Sequence, residues 1–144
     1  MVSTSPRHKL MEDDEPLEGM VRVKALEAGY TETLERLRRT RARVAVIGEL
    51  PRPPDDLAGC VASSLKALDT CAFERPDDAE AFARRAAAKV KGVELLDPAP
   101  LICPEEHCRA VIGDALVYRD RDHLTGTFAR TLAPWMERQL PRLH

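Results

Sequence analysis

A chain of 144 residues fits one domain and leaves no room for two. Its 22 Lys and Arg nearly cancel 24 Asp and Glu, for a net charge of −2, so a polyanion-binding surface is excluded and no nucleic-acid partner is expected. No apolar run approaches the roughly 18 residues of a membrane helix, and the first residues lack a signal-peptide core, so the chain as written is expected to be soluble without an export signal of its own.

Residues 1–4 read as a very short strand and residues 10–16 as an acidic loop. Residues 15–42 read as a helix, because Val23, Leu26, Tyr30, Leu34 and Leu37 recur at spacings of 3, 4, 4 and 3. The arginines at 36, 38, 39, 41 and 43 suit its C-terminus, where cations meet the negative end of the dipole. The run Val44-Ala45-Val46-Ile47-Gly48 predicts a buried parallel strand. A loop with three prolines follows to Cys60, and residues 60–73 read as irregular or weakly helical. Asp77 opens the next helix, with Glu80 completing a capping box and Gly92 as the stop. Residues 93–96 predict a second buried strand, ended by Asp97-Pro98. Residues 110–112 and 115–118 form a hairpin about Gly113-Asp114. Residues 125–140 read as a final helix, with Pro134 kinking it or opening a fresh first turn. This order implies an α/β fold with a mainly parallel sheet. Two long strands make a thin sheet, so the chain reads as the back half of something larger.

The densest chemistry lies at residues 117–125, VYRDRDHLT. Asp120 and His123 stand three apart, between a strand and a helix. A turn there presents a carboxylate to one imidazole nitrogen and leaves the other free to take a proton from a nucleophile. Asp122 is less suited, because an adjacent residue seldom turns its side chain back to the ring. The alternative is a polar loop in which His123 caps the final helix. His8 and His144 read as exposed and inert. The serines are Ser3, Ser5, Ser63 and Ser64, and none sits in a Gly-Asp-Ser or Gly-x-Ser-x-Gly setting. The chain has no glycine-rich phosphate loop.

Four cysteines lie at 60, 71, 103 and 108, and spacing leaves free thiols and disulfides both open. Cys103, His107 and Cys108 with Cys60 or Cys71 would make a four-ligand zinc set, but the spacing is no recognised knuckle. Disulfides Cys103–Cys108 and Cys60–Cys71 are more economical, each closing a local loop.

Together, VAVIGELPRPPDDLAGC, VELLDPAPLICPEEHCRAVIGDALVYRDRDHLTGTFARTLAP and the helix between them resemble one family. It is the C-terminal SGNH (GDSL-like) domain of membrane-bound acyltransferases that O-acylate cell-surface glycans. The likeness covers residues 40–140 and is most specific at Tyr-Arg-Asp-x-x-His-Leu-Thr. It implies a three-layer α/β/α, flavodoxin-like domain with a Ser-His-Asp triad and no cofactor or metal. Asp120 and His123 carry over as acid and base. Cys103 and Cys108 match the family's cysteine pair, and Cys60 and Cys71 match another. The family's domain faces the outside of the cytoplasmic membrane, which suits disulfides. The implied partners are an acyl donor and a glycan acceptor.

The family's nucleophile lies in a Gly-Asp-Ser motif after the first strand, and these residues contain no such motif. The expectation is therefore the C-terminal portion of an SGNH domain, weakly active or inactive alone, whose partner is a missing N-terminal segment or a membrane acyltransferase domain. The competing expectation is a non-catalytic α/β remnant or partner-binding module with an exposed sheet edge.

Overall fold

A computed structural model describes residues 10–75 and 81–140. The strand expected at 1–4 and the capping pair Asp77 and Glu80 lie outside them. The described elements run β1 (Met11–Glu12), β2 (Glu15–Pro16), α1 (Gly19–Arg39), β3 (Val44–Ile47), α2 (Leu57–Ser63) and β4 (Phe73–Glu74). Then come α3 (Phe82–Lys89), β5 (Val93–Leu96), α4 (Ala99–Ile102), β6 (His107–Cys108), β7 (Val111–Ile112), β8 (Ala115–Leu116), α5 (Gly126–Thr131) and α6 (Ala133–Gln139). They form two compact units. The first spans Met1–Glu49 and Asp77–Asp97, and the second Leu50–Pro76 and Pro98–His144.

In the first unit β3 and β5 pair in parallel, with Val44 opposite Val93 and Ile47 opposite Leu96. This is the α/β core the sequence implied. Helices α1 and α3 supply Val23, Leu34, Phe82, Ala83, Ala86 and Ala87, which bury Val44 and Val46. Small alanines let α3 lie close, and Tyr30 of α1 meets Phe82 edge to face at 5.9 Å between ring centroids. Glu27 of α1 binds Arg85 (2.7 Å) and Lys89 (2.5 Å) of α3. The described start of α3 is capped by a distant residue, Glu49, whose carboxylate accepts from the backbone N–H of Ala83 (2.6 Å) and of Arg84 (3.3 Å).

Three expectations change here. The acidic loop at 10–16 is a hairpin: Asp13 and Asp14 take left-handed φ of 51° and 67°, as a two-residue primed turn demands, and β1 pairs with β2. The helix consequently starts at Gly19, not near residue 15. It ends at Arg39, where the Thr40 hydroxyl donates to the Leu37 carbonyl and Arg41 turns left-handed at φ 65°. The second strand is not fully buried. Glu94 and Leu95 are exposed, because among the described residues β5 has β3 as its one strand neighbour.

In the second unit short elements surround two disulfides, Cys60–Cys71 and Cys103–Cys108. Cys71, Cys103 and Cys108 are buried with Leu57, Val61, Ile102, Val117, Tyr118 and Phe128. Helix α2 starts inside the expected loop, and a 3-10 turn covers Leu68–Cys71. Strand β4 pairs with β6, and β7 pairs with β8 about Gly113 at φ 59°. The final helix divides at Leu132, because Pro134 has no N–H to give and sits in the first turn of α6.

Candidate active site

The segment from Leu116 to Thr125 leaves β8 and returns on itself before α5. Val117 accepts from the Thr125 N–H at 2.9 Å, Tyr118 and Leu124 form an antiparallel bridge, and the Arg119 N–H reaches the His123 carbonyl at 2.9 Å. Thr125 closes the loop twice. Its hydroxyl donates to the Leu116 carbonyl, and the same oxygen accepts from the Phe128 N–H at 3.1 Å. Thr125 therefore caps α5, a role that the polar-loop alternative gave to His123.

Within this closed turn, His123 Nδ1 lies 2.7 Å from Asp120 Oδ1. The same oxygen accepts from the Asp122 backbone N–H at 2.9 Å, and Asp120 Oδ2 accepts from Arg119 Nε at 3.1 Å. The Asp122 N–H, then the His123 ring and the Arg119 guanidinium hold the Asp120 carboxyl well below the usual carboxylate range. An ionised carboxylate accepts and cannot donate, so the proton of the contact belongs to Nδ1. Among the described residues the other ring nitrogen, Nε2, has no hydrogen-bond partner. The His123 side chain is 58% exposed, so a reacting hydroxyl can reach it.

Two strands of contact tie this turn to the proline-rich loop. Arg52 Nη2 binds Asp122 Oδ1 at 2.9 Å, and Arg121 Nη1 binds Asp55 Oδ1 at 2.7 Å. Asp122 thus faces Arg52, not the imidazole. Tyr118, buried beneath the turn, donates its hydroxyl to the Pro51 carbonyl at 2.7 Å. Burial pushes the Tyr118 phenol well above its ordinary value.

A family model described as "SGNH domain (fused to AT3 domains)" matches residues 3–138. The chain belongs to the SGNH domain family. No curated protein and no solved structure matches it. The small parallel sheet and mixed helices agree with part of an α/β SGNH domain. Among the described residues, no helix is long and apolar enough to cross a membrane.

Of the residues singled out in this SGNH domain, Asp120 and His123 are brought together. Ser63 donates its hydroxyl back to the Gly59 and Cys60 carbonyls of its own helix, and Ser3 and Ser5 lie outside the described residues. So do His8 and His144. All four cysteine sulfurs are in disulfides, which removes every thiolate from the zinc alternative, and His107 is exposed on β6. Arg52 and Glu49 were missed. The sequence shows Arg52 between prolines, but nothing local says that it meets a residue 70 positions away.

Proposed function

We propose that this chain carries the acid–base pair of an SGNH acyl-transfer site acting on O-acyl groups of cell-surface glycans, as the C-terminal portion of such a domain. The contact between His123 Nδ1 and Asp120 Oδ1, on an exposed imidazole, is the observation that supports this reading. Fusion to AT3 domains in the family supports a membrane acyltransferase domain as the working partner. No serine of these 144 residues stands in a Gly-Asp-Ser setting, so no nucleophile is assigned among them.

In this reading His123 Nε2 accepts the serine proton as the serine oxygen attacks the acyl carbonyl. Asp120 holds the ring and stabilises the imidazolium. Nε2 then returns the proton to the departing alkoxide, leaving an acyl-serine. A sugar hydroxyl or water attacks next and gives its proton to Nε2, which passes it to the serine oxygen as the acyl–serine bond breaks. Transfer releases an acylated glycan and hydrolysis releases the acid.

The test is fluorophosphonate labelling, read by intact mass and peptide mapping, together with acetate release from an O-acetylated polysaccharide. Both are run on the full chain and on the chain joined to a strand ending in Gly-Asp-Ser. The expected result is a single serine label and acetate release in the joined protein, both lost in His123→Ala. No label and no acetate release in either protein would refute an acyl-transfer site and favour a binding module.

A further inference from the structure

The acid–base pair is held by a third residue's backbone, and that residue is itself held from a distance. Asp120 Oδ1 takes two hydrogen bonds, one from His123 Nδ1 and one from the Asp122 N–H. The second fixes where that oxygen points, so it also fixes the ring. The Asp122 side chain is 13% exposed and meets Arg52 at 2.9 Å. The contact is a short hydrogen-bonded ion pair with a guanidinium, which orients the Asp122 side chain and so helps to set where residue 122 sits.

Arg52 is constrained in turn. It stands between Pro51 and Pro53, whose rings fix φ and leave this stretch few backbone conformations. The Pro51 carbonyl is anchored by the Tyr118 hydroxyl, one residue before the turn begins. The guanidinium is thus delivered from a stiff, anchored segment, and it reaches the turn at the residue whose N–H touches the carboxylate. Arg121 makes a different contact. Its partner Asp55 is 79% exposed, and the pair does not reach residue 122.

We propose that Arg52 is a positioning residue for the acid–base pair: by holding Asp122, it keeps the Asp122 N–H on Asp120 Oδ1 and so keeps the His123 proton on Nδ1. The proposal rests on reading Asp120 and His123 as acid and base. The contact of Arg52 is with Asp122, so it acts on Asp120 and His123 through that residue.

The test reads the ring directly and needs no activity. Nitrogen-15 NMR of the full chain gives the His123 tautomer and the exchange rate of the Nδ1 proton. Wild type is expected to hold Nδ1–H. In Arg52→Ala the Nδ1 proton is expected to exchange about tenfold faster, with both tautomers present, because a charge-assisted contact fixing the turn is gone. Arg52→Lys is expected to recover most of the protection, since the cation is kept. Arg121→Ala is expected to leave the ring unchanged. A wild-type His123 signature in Arg52→Ala would overturn the proposal, and so would an equal change in Arg121→Ala. If circular dichroism shows Arg52→Ala unfolded, Arg52→Gln is compared with Arg52→Lys, and identical His123 signatures would overturn it. Loss of the acyl-transfer reading would appear in the ester assays and not here, so the two failures are distinguishable.

Discussion

The Tyr118 hydroxyl donates to the Pro51 carbonyl at 2.7 Å, joining positions 67 apart in sequence next to the turn that carries Asp120 and His123. The phenol is buried in the second unit and its ring meets Phe73 at 6.0 Å between centroids. Removing the hydroxyl leaves a carbonyl without its donor, so Tyr118→Phe is expected to cost about 1–2 kcal/mol. Urea midpoints at pH 7 measure it.

The same phenol sets an alkaline limit. Its folded pKa lies above the unfolded value of about 10, and Tyr30 is raised in the same sense, chiefly by burial. The unfolded chain therefore ionises first. The contribution is fully present below about pH 10 and is lost as pH rises beyond it, at up to about 1.4 kcal/mol per pH unit for each phenol. A pH series of urea melts should show this decline, and it should be shallower in Tyr118→Phe.

The two disulfides close loops of separation 11 and 5. By chain entropy, the Cys60–Cys71 bridge contributes about 3 kcal/mol and the Cys103–Cys108 bridge about 2 kcal/mol. Serine replacement of each pair should lower the urea midpoint in that order. Reduction of the wild type by a phosphine should reproduce the combined loss.

In the first unit, Glu27 accepts from two cations, and Arg85 first and Lys89 second lower its carboxyl below the ordinary value. Glu27→Gln is expected to lose about 1 kcal/mol at pH 7. A lowered folded pKa means the contribution is present above the unfolded value of about 4.3 and is lost as pH falls. The gap between wild type and Glu27→Gln should therefore close towards pH 3, which melts at both pH values will show.

Periodic elements were legible in the sequence because burial writes a pattern. Leu34 and Val23 mark the buried stripe of α1, and the β-branched run at 44–47 marks β3. Proline chemistry marked the break before α6. The hairpin at 11–16 was missed because its register depends on two aspartates taking left-handed φ, which composition disguises as a polar loop. The exposed face of β5 was missed because an apolar run does not reveal what covers it. At the site, the spacing of Asp120 and His123 was visible, since a three-residue turn is local. Arg52 and Glu49 were not, because their partners are 70 and 34 positions away and only tertiary structure brings them near.

Once a Gly-Asp-Ser strand is supplied, Asp120→Ala should lower ester turnover by roughly 10²–10⁴-fold with little change in KM. The ring then loses its orienting carboxylate while the binding surface stays. Steady-state kinetics on both proteins separate the two constants.

The most direct measurement of the central claim is the rate at which diethyl pyrocarbonate modifies His123 in the full chain, mapped by peptide mass, with exposed His107 as internal reference. Asp120 fixes the proton on Nδ1 and leaves Nε2 as the reactive nitrogen. The account predicts that the limiting rate at high pH, where neither ring carries the extra proton, is several-fold lower for His123 in Asp120→Ala than in wild type, while His107 is unchanged. Equal limiting His123 rates in the two proteins would contradict it.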